Sequence, residues 1–450
     1  MKRLTHAGAI LLSAAMLCFL SIYNGFPLVF NNDTGMYIEN AFNGVVASDR
    51  PIMYGLFIYF SSMVYSLWLV IAAQALIVAL MVYYCFRYFT AGRTFLLSYL
   101  LFMAVVAFFM SASFEVSWLM PDIFTAIALL CVILLTGRKV KLRDKIIVSL
   151  IMVLSIGVHN SNFYTCTGLC LLLLFFKRIR IVYSTTRRIL YTLSIILLGY
   201  LNLTFVHYLY SGELKSSRGG TIFLMSNLVE MGIVDIYLSE NCDQRGFRIC
   251  AYQGTLPNNF LWSENSPIKK TGGWDANMDE YSAIISDIVT NPRYLRMIVY
   301  KSAIYTFKQF FNYDIVDIGK PSERINKAVE YFYIHEYKQH KASRESKDRL
   351  LVGFINFTQQ IIVCICLCLY LYLLIYQRSS PEVRSIILFM FIALLVNAWV
   401  CSTFSGVFPR YQTRIIWLLP LPLFLYCQHF FPNLNPPPLN GTHNLNALPQ

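Results

Sequence analysis

Apolar runs of about 18 residues or more recur along this chain, separated by short basic or polar breaks. Each run is long enough to cross about 30 Å of hydrocarbon. The first covers about residues 5–30, behind Lys2 and Arg3. A cleaved signal peptide competes with this reading, but the run continues past a short signal core, and either way Asp33 emerges outside. Residues 51–86 exceed one perpendicular helix and divide into an interfacial stretch at about 53–65 and a span ending at Arg87. Spans follow at about 94–113, 123–136, 146–158, 162–176 and 189–207, then, past a long polar region, at about 351–376, 385–401 and 415–430. The pattern predicts an all-α polytopic membrane protein of about ten transmembrane helices, with one large outer α-rich region between spans 7 and 8.

The chain divides accordingly into an N-terminal transmembrane module (1–207, first outer loop 31–52), an outer region (208–350), three C-terminal spans (351–431) and a disordered tail (432–450) rich in Pro and Asn. Within the outer region, residues 279–311 place Tyr281, Ile284, Ile285, Ile288, Leu295, Ile298 and Val299 at helical spacing. This reads as an amphipathic helix lying on the membrane surface or packing back on the spans.

Charge fixes the expected orientation. One set of short loops carries Lys2, Arg3, Arg87, Arg93, a cluster from Arg138 to Lys145, another from Lys177 to Arg188, Arg378 and Arg384. The opposite short loops carry only Arg50, Arg410 and Arg414. The positive-inside rule therefore puts both termini in the cytoplasm, in what reads as a bacterial inner membrane. The net charge of +13 sits in these loops, so it implies orientation and lipid headgroup contact, not nucleic acid. A composition of 57% hydrophobic and 14% charged residues excludes an ordinary soluble domain. Most of the 12 cysteines lie in apolar runs as small packing residues. Cys242 and Cys250 instead share the polar region, at a spacing that suits a disulfide in an oxidising compartment.

Polar residues other than these cations gather on the outer face. The first outer loop offers Asp33, Tyr37, Asp49 and Arg50; the second Glu115, Trp118 and Asp122 after Pro121; the third His159, with Ser161 as a neighbour; the last Arg410 and Arg414, four apart and on one face of any helix there. Carboxylates, a histidine and arginines at one mouth can bind an anionic headgroup and activate a hydroxyl. Each residue also has a structural role open to it. Asp33 can close the first span as an N-cap, Asp122 can complement a helix N-terminus, the arginines can snorkel, and Asp49 and Arg50 can order a loop as an ion pair.

Asp33-x-x-x-Tyr37, Ala41 and Arg50-Pro51-x-x-Tyr54 together resemble the first outer loop of the GT-C class of integral-membrane glycosyltransferases. Thr34 follows Asp33 where that class often carries a second acid. The resemblance implies a sugar donor on polyprenyl phosphate, with Asp33 as general base on an acceptor glycan or lipid. Tyr37, Arg50, Tyr54, Glu115, Asp122, His159, Arg410 and Arg414 would then form the substrate site, and Trp262 and Trp274 would face the acceptor. The resemblance requires no cofactor and accommodates a divalent metal; no metal-ligand set is assigned. Three other readings share these features: an outer-face glycan polymerase or ligase, a transporter or flippase, and a non-enzymatic assembly factor for envelope glycans.

Overall fold

The structure, a computed structural model, describes residues 2–47, 50–90, 95–316, 318–375 and 380–426. Asp49, Arg93, Arg378 and the expected tail at 432–450 lie outside the described residues. Among the described residues the protein is all-helical, without strands; one parallel bridge joins Leu28 to Trp118.

The N-terminal half comprises α1 (Lys2–Leu17), α2 (Phe19–Asn24), α3 (Asn31–Asn43), α4 (Met53–Ser61), α5 (Leu67–Phe89), α6 (Phe95–Phe109), α7 (Ala112–Ser117), α8 (Ile123–Gly137), α9 (Leu142–Val158), α10 (Asn160–Phe175) and α11 (Thr186–Ser211). The intermediate segment forms α12 (Gly220–Glu230), α13 (Ile233–Arg245), α14 (Pro267–Lys270), α15 (Gly273–Thr290), α16 (Pro292–Phe310), α17 (Glu323–Phe332) and α18 (Ile334–Ala342). The chain then adds α19 (Gly353–Ile375), α20 (Pro381–Phe404), α21 (Arg410–Ile416) and α22 (Leu421–Leu425).

Four of these helices, α5, α11, α19 and α20, are long and apolar enough to cross a membrane. The pair α12 and α13, bent by 97°, makes five if taken as one broken span. Of the other expected spans, α6, α8, α9 and α10 are single helices of 15 to 17 residues, and the first and last runs are divided by local chemistry. The first ends at Gly25, whose φ of 83° closes α2, and the chain continues extended to Phe30. The last breaks at Pro420, which cannot donate to the preceding turn, leaving α21 and α22. The amphipathic stretch at 279–311 likewise divides, because Asn291 caps a new helix with its side chain and Pro292 opens it. Its first half buries Tyr281, Ile284 and Ile288, whereas Leu295 and Val299 in α16 are exposed.

At the centre stands α8. Every one of its residues is buried, so this helix is enclosed by protein along its whole length, about 22 Å at 1.5 Å per residue. It packs against α5, α9, α10 and α11. A separate apolar core, from Ile222 to Tyr294, joins α12, α13 and α15. The Cys242–Cys250 disulfide ties the end of α13 to the turn that follows.

Candidate functional site

Asp33 and its polar neighbours acquire fixed positions through α3. Phe30 is extended at its N-terminus, and its N–H donates to the Thr34 hydroxyl (2.8 Å), which in turn donates to the Leu119 carbonyl (3.1 Å). The neutral Thr34, standing beside Asp33, thus anchors the loop. Asp33 projects from the first turn of α3 and pairs with Arg50 at 2.7 Å and with Arg410 at 3.8 Å. Arg50 lies over the Tyr37 ring (5.7 Å), and Tyr37 packs edge-on against Tyr54 (5.0 Å). Tyr54 is fully buried and donates to Gln74, an amide midway along α5 that also donates to the Val116 carbonyl.

A second layer lies beneath. Arg414 is fully buried one helical turn after Arg410. Its guanidinium reaches Asp122 (3.4 Å), His159 Nε2 (3.3 Å), Ser161 Oγ (3.3 Å), Asn397 Oδ1 (3.0 Å) and Cys401 Sγ (3.1 Å). Arginine only donates, so Nε2 faces Arg414 as an acceptor, while Nδ1 lies 2.9 Å from Ser161 Oγ and 3.3 Å from the Ser161 backbone N–H. Burial, reinforced by Arg414, pushes the His159 pKa down to about 3, so the ring is neutral across the ordinary range. Burial opposes ionisation of Asp122 as well, but the guanidiniums of Arg414 and Arg410 outweigh it and hold its carboxyl below its ordinary value. The polar floor is therefore a carboxylate–arginine pair braced by neutral donors and acceptors.

Above this floor opens a cavity of about 970 Å³. Asp33, Tyr37, Arg50, His159 and Arg410 line it. Tyr164, Tyr200, Phe223, Leu224, Val400 and Phe404 line it as well, so charged and apolar side chains share one cavity. Ser216, Ser217 and Trp262, from the segment between α11 and α14, and Lys269 of α14 add to the wall.

Of the residues singled out in sequence, these five and Trp262 reach the cavity. Asp122 and Arg414 support it from below, and Tyr54 supports Tyr37. Trp274 stands behind Trp262, with ring centroids 6.3 Å apart, and packs edge-on against Phe223. Glu115 is fully buried in α7 and does not line the cavity. Asn397 and Cys401 escaped the sequence reading, and Ser161 was noted there only as a neighbour of His159. Asn397 carried the clearest signal, since an amide inside an apolar run must find a partner.

Among the described residues no three His, Cys, Asp or Glu side chains come together as a metal site needs. The carboxylates at the cavity are instead neutralised by arginines. No protein-family model matches the chain, and neither a curated protein nor a solved structure matches it.

Proposed function

We propose that this protein is an integral-membrane glycosyltransferase, moving a sugar from a polyprenyl-phosphate donor to an acceptor glycan or lipid on the outer face. The observation that carries this reading is a cavity that combines Asp33, set between two arginines, with aromatic and aliphatic side chains in its lining. An amphiphile with an anionic head matches that combination.

In the proposed step, the donor phosphate draws on Arg410, the cation held more loosely by Asp33. That competition lowers the demand on the Asp33 carboxylate, which takes the proton of the acceptor hydroxyl as its oxygen attacks the anomeric carbon. The bond from that carbon to the phosphate oxygen breaks, and the lipid phosphate leaves with the electron pair, its charge met by Arg410 and Arg50. Trp262, half exposed on the cavity wall, offers a face for the acceptor sugar. The arrangement of about ten spans, with 208–350 outside and both termini cytoplasmic, belongs to the same proposal.

The test compares Asp33→Asn with the wild type at equal membrane expression, reading surface glycans and lipid-linked sugars. Loss of a glycan with accumulation of its lipid-linked donor supports the transferase. Unchanged glycan and lipid pools eliminate it and move the balance to an envelope assembly factor.

A further inference from the structure

The far end of the buried helix α8 opens on a different site. Arg138 follows its last residue and, with Lys139, Arg188, Tyr88 and Tyr183, lines a second cavity of about 330 Å³. One length of α8, about 22 Å, separates it from the Asp122 end. Its lining holds three cations and no carboxylate.

The neighbouring acids are already engaged. Asp144 accepts from Tyr88 (2.6 Å) and Tyr84 (3.4 Å) and lies 3.7 Å from Arg87. Glu382 accepts from Tyr183 at 2.9 Å. Arg138 stacks 3.7 Å over the Tyr183 ring, and its buried Nε has no hydrogen-bond acceptor. Arg188 donates one N–H to the Tyr183 carbonyl (2.7 Å). Arg87 beside Asp144 and Arg143 near Tyr84 add further positive charge. Asp144 and Glu382, the latter also attracted to Arg138, offset part of this charge, but among the described residues Arg87, Arg138, Lys139 and Arg188 outnumber them and the aromatic-backed cavity stays cationic. Guanidinium forks on an aromatic platform suit a phosphate, with several oxygens to receive them.

We infer that this cavity binds a phosphate group, either on an anionic phospholipid or on a free phosphomonoester. Three of the membrane-length helices terminate beside it: α5 at Phe89, α11 at Thr186 and α20 at Pro381. That level corresponds to the headgroup zone when these helices span, which favours the lipid as the source. The inference does not depend on glycosyl transfer at the Asp33 cavity.

The experiment uses the full chain purified in detergent and titrated with phosphatidylglycerol or phosphatidylcholine under native mass spectrometry. Wild type is compared with R138Q/K139Q/R188Q, and with K177Q/R178Q, which removes two exposed cations outside the cavity. Retention of phosphatidylglycerol by wild type and the control, with roughly tenfold more lipid needed by the triple variant, supports a lipid phosphate site. In a second arm glycerol 3-phosphate is followed by thermal shift. A saturable shift that the triple variant lacks, without preferential lipid retention, assigns the site to a free phosphomonoester. Equal phosphatidylglycerol retention by all three proteins, with no shift from glycerol phosphate, overturns the inference. Should the triple variant fail to fold, the exposed Lys139→Glu alone carries the same comparisons.

Discussion

Arg410 and Arg414 sit one turn apart on the same short helix, yet their surroundings assign them different work. Arg410 faces the cavity with a fifth of its side chain exposed and holds Asp33 loosely at 3.8 Å. Arg414 is sealed among Asp122, His159, Ser161 and Asn397. On the proposed mechanism, Arg410→Gln leaves the fold intact and lowers kcat about 10²–10³-fold, the usual cost of removing one donor to developing charge. Arg414→Gln instead strands Asp122 as a buried charge and destabilises the protein by about 3–5 kcal/mol. Thermal unfolding alongside single-turnover transfer separates the two, and an Arg414→Gln protein as stable as wild type would contradict the account. The four-residue spacing was legible in the sequence. Which arginine faces the cavity was not, because a helix of 7 residues is too short for its own pattern to show which side other elements will cover.

Helices α3 and α4 meet through Gly55. A Cβ there would stand 2.5 Å from the Tyr37 carbonyl oxygen, a backbone atom that cannot swing aside. Gly55→Ala is expected to cost about 1–3 kcal/mol through overpacking and to displace α3, which carries Asp33. Loss of stability together with a change in the cysteine-labelling rate of a probe placed at Asn32 would report that displacement; an unchanged transition would show that the pair is plastic. On its other side α3 is held by α17, through Arg324 to Glu39 at 2.6 Å and Ser322 to the Asn31 carbonyl at 3.0 Å. The acid-bearing loop is thus clamped by a segment almost 300 residues later in the chain. Periodicity predicted α5, α8, α9, α10, α11, α19 and α20 within a few residues, since each buries or presents a continuous apolar surface. It missed the breaks at Gly25, Asn291–Pro292 and Pro420, where a local cap or a proline overrides an unbroken apolar run.

At the scale of the molecule, buried titratable groups at 340–345 couple stability to pH in opposite senses. Burial, aided by Lys341, pushes the His340 pKa down to about 4, and its Nε2–H donates to Asn326 at 3.0 Å. The folded value lies below the unfolded one near 6.5, so this contribution is present above about pH 6.5 and is lost as pH falls towards 4, by up to about 1.4 kcal/mol per unit. His159 acts in the same sense. Burial raises Glu345 well above its usual range, only partly offset by the Val29 N–H. Its contribution is present below about pH 4.3, the unfolded value, and is lost as pH rises. Melting curves from pH 7.5 to 5 are therefore expected to fall less steeply for His340→Gln and more steeply for Glu345→Gln, with Glu345→Gln more stable than wild type at pH 7.5. Parallel curves for all three proteins would remove the coupling. Hydropathy, charge and short-range spacing are local properties, so the helical class, four of the expected ten spans and the Cys242–Cys250 pair could be read from the chain alone. That Asp33, Arg50, His159 and Arg410 share one cavity, that Asp122 and Arg414 lie beneath it, and that Glu115 stands apart came from the packing of the folded chain. Those placements depend on how α3, α8, α10, α20 and α21 pack against one another, and contacts between residues hundreds of positions apart leave no periodic trace in the chain.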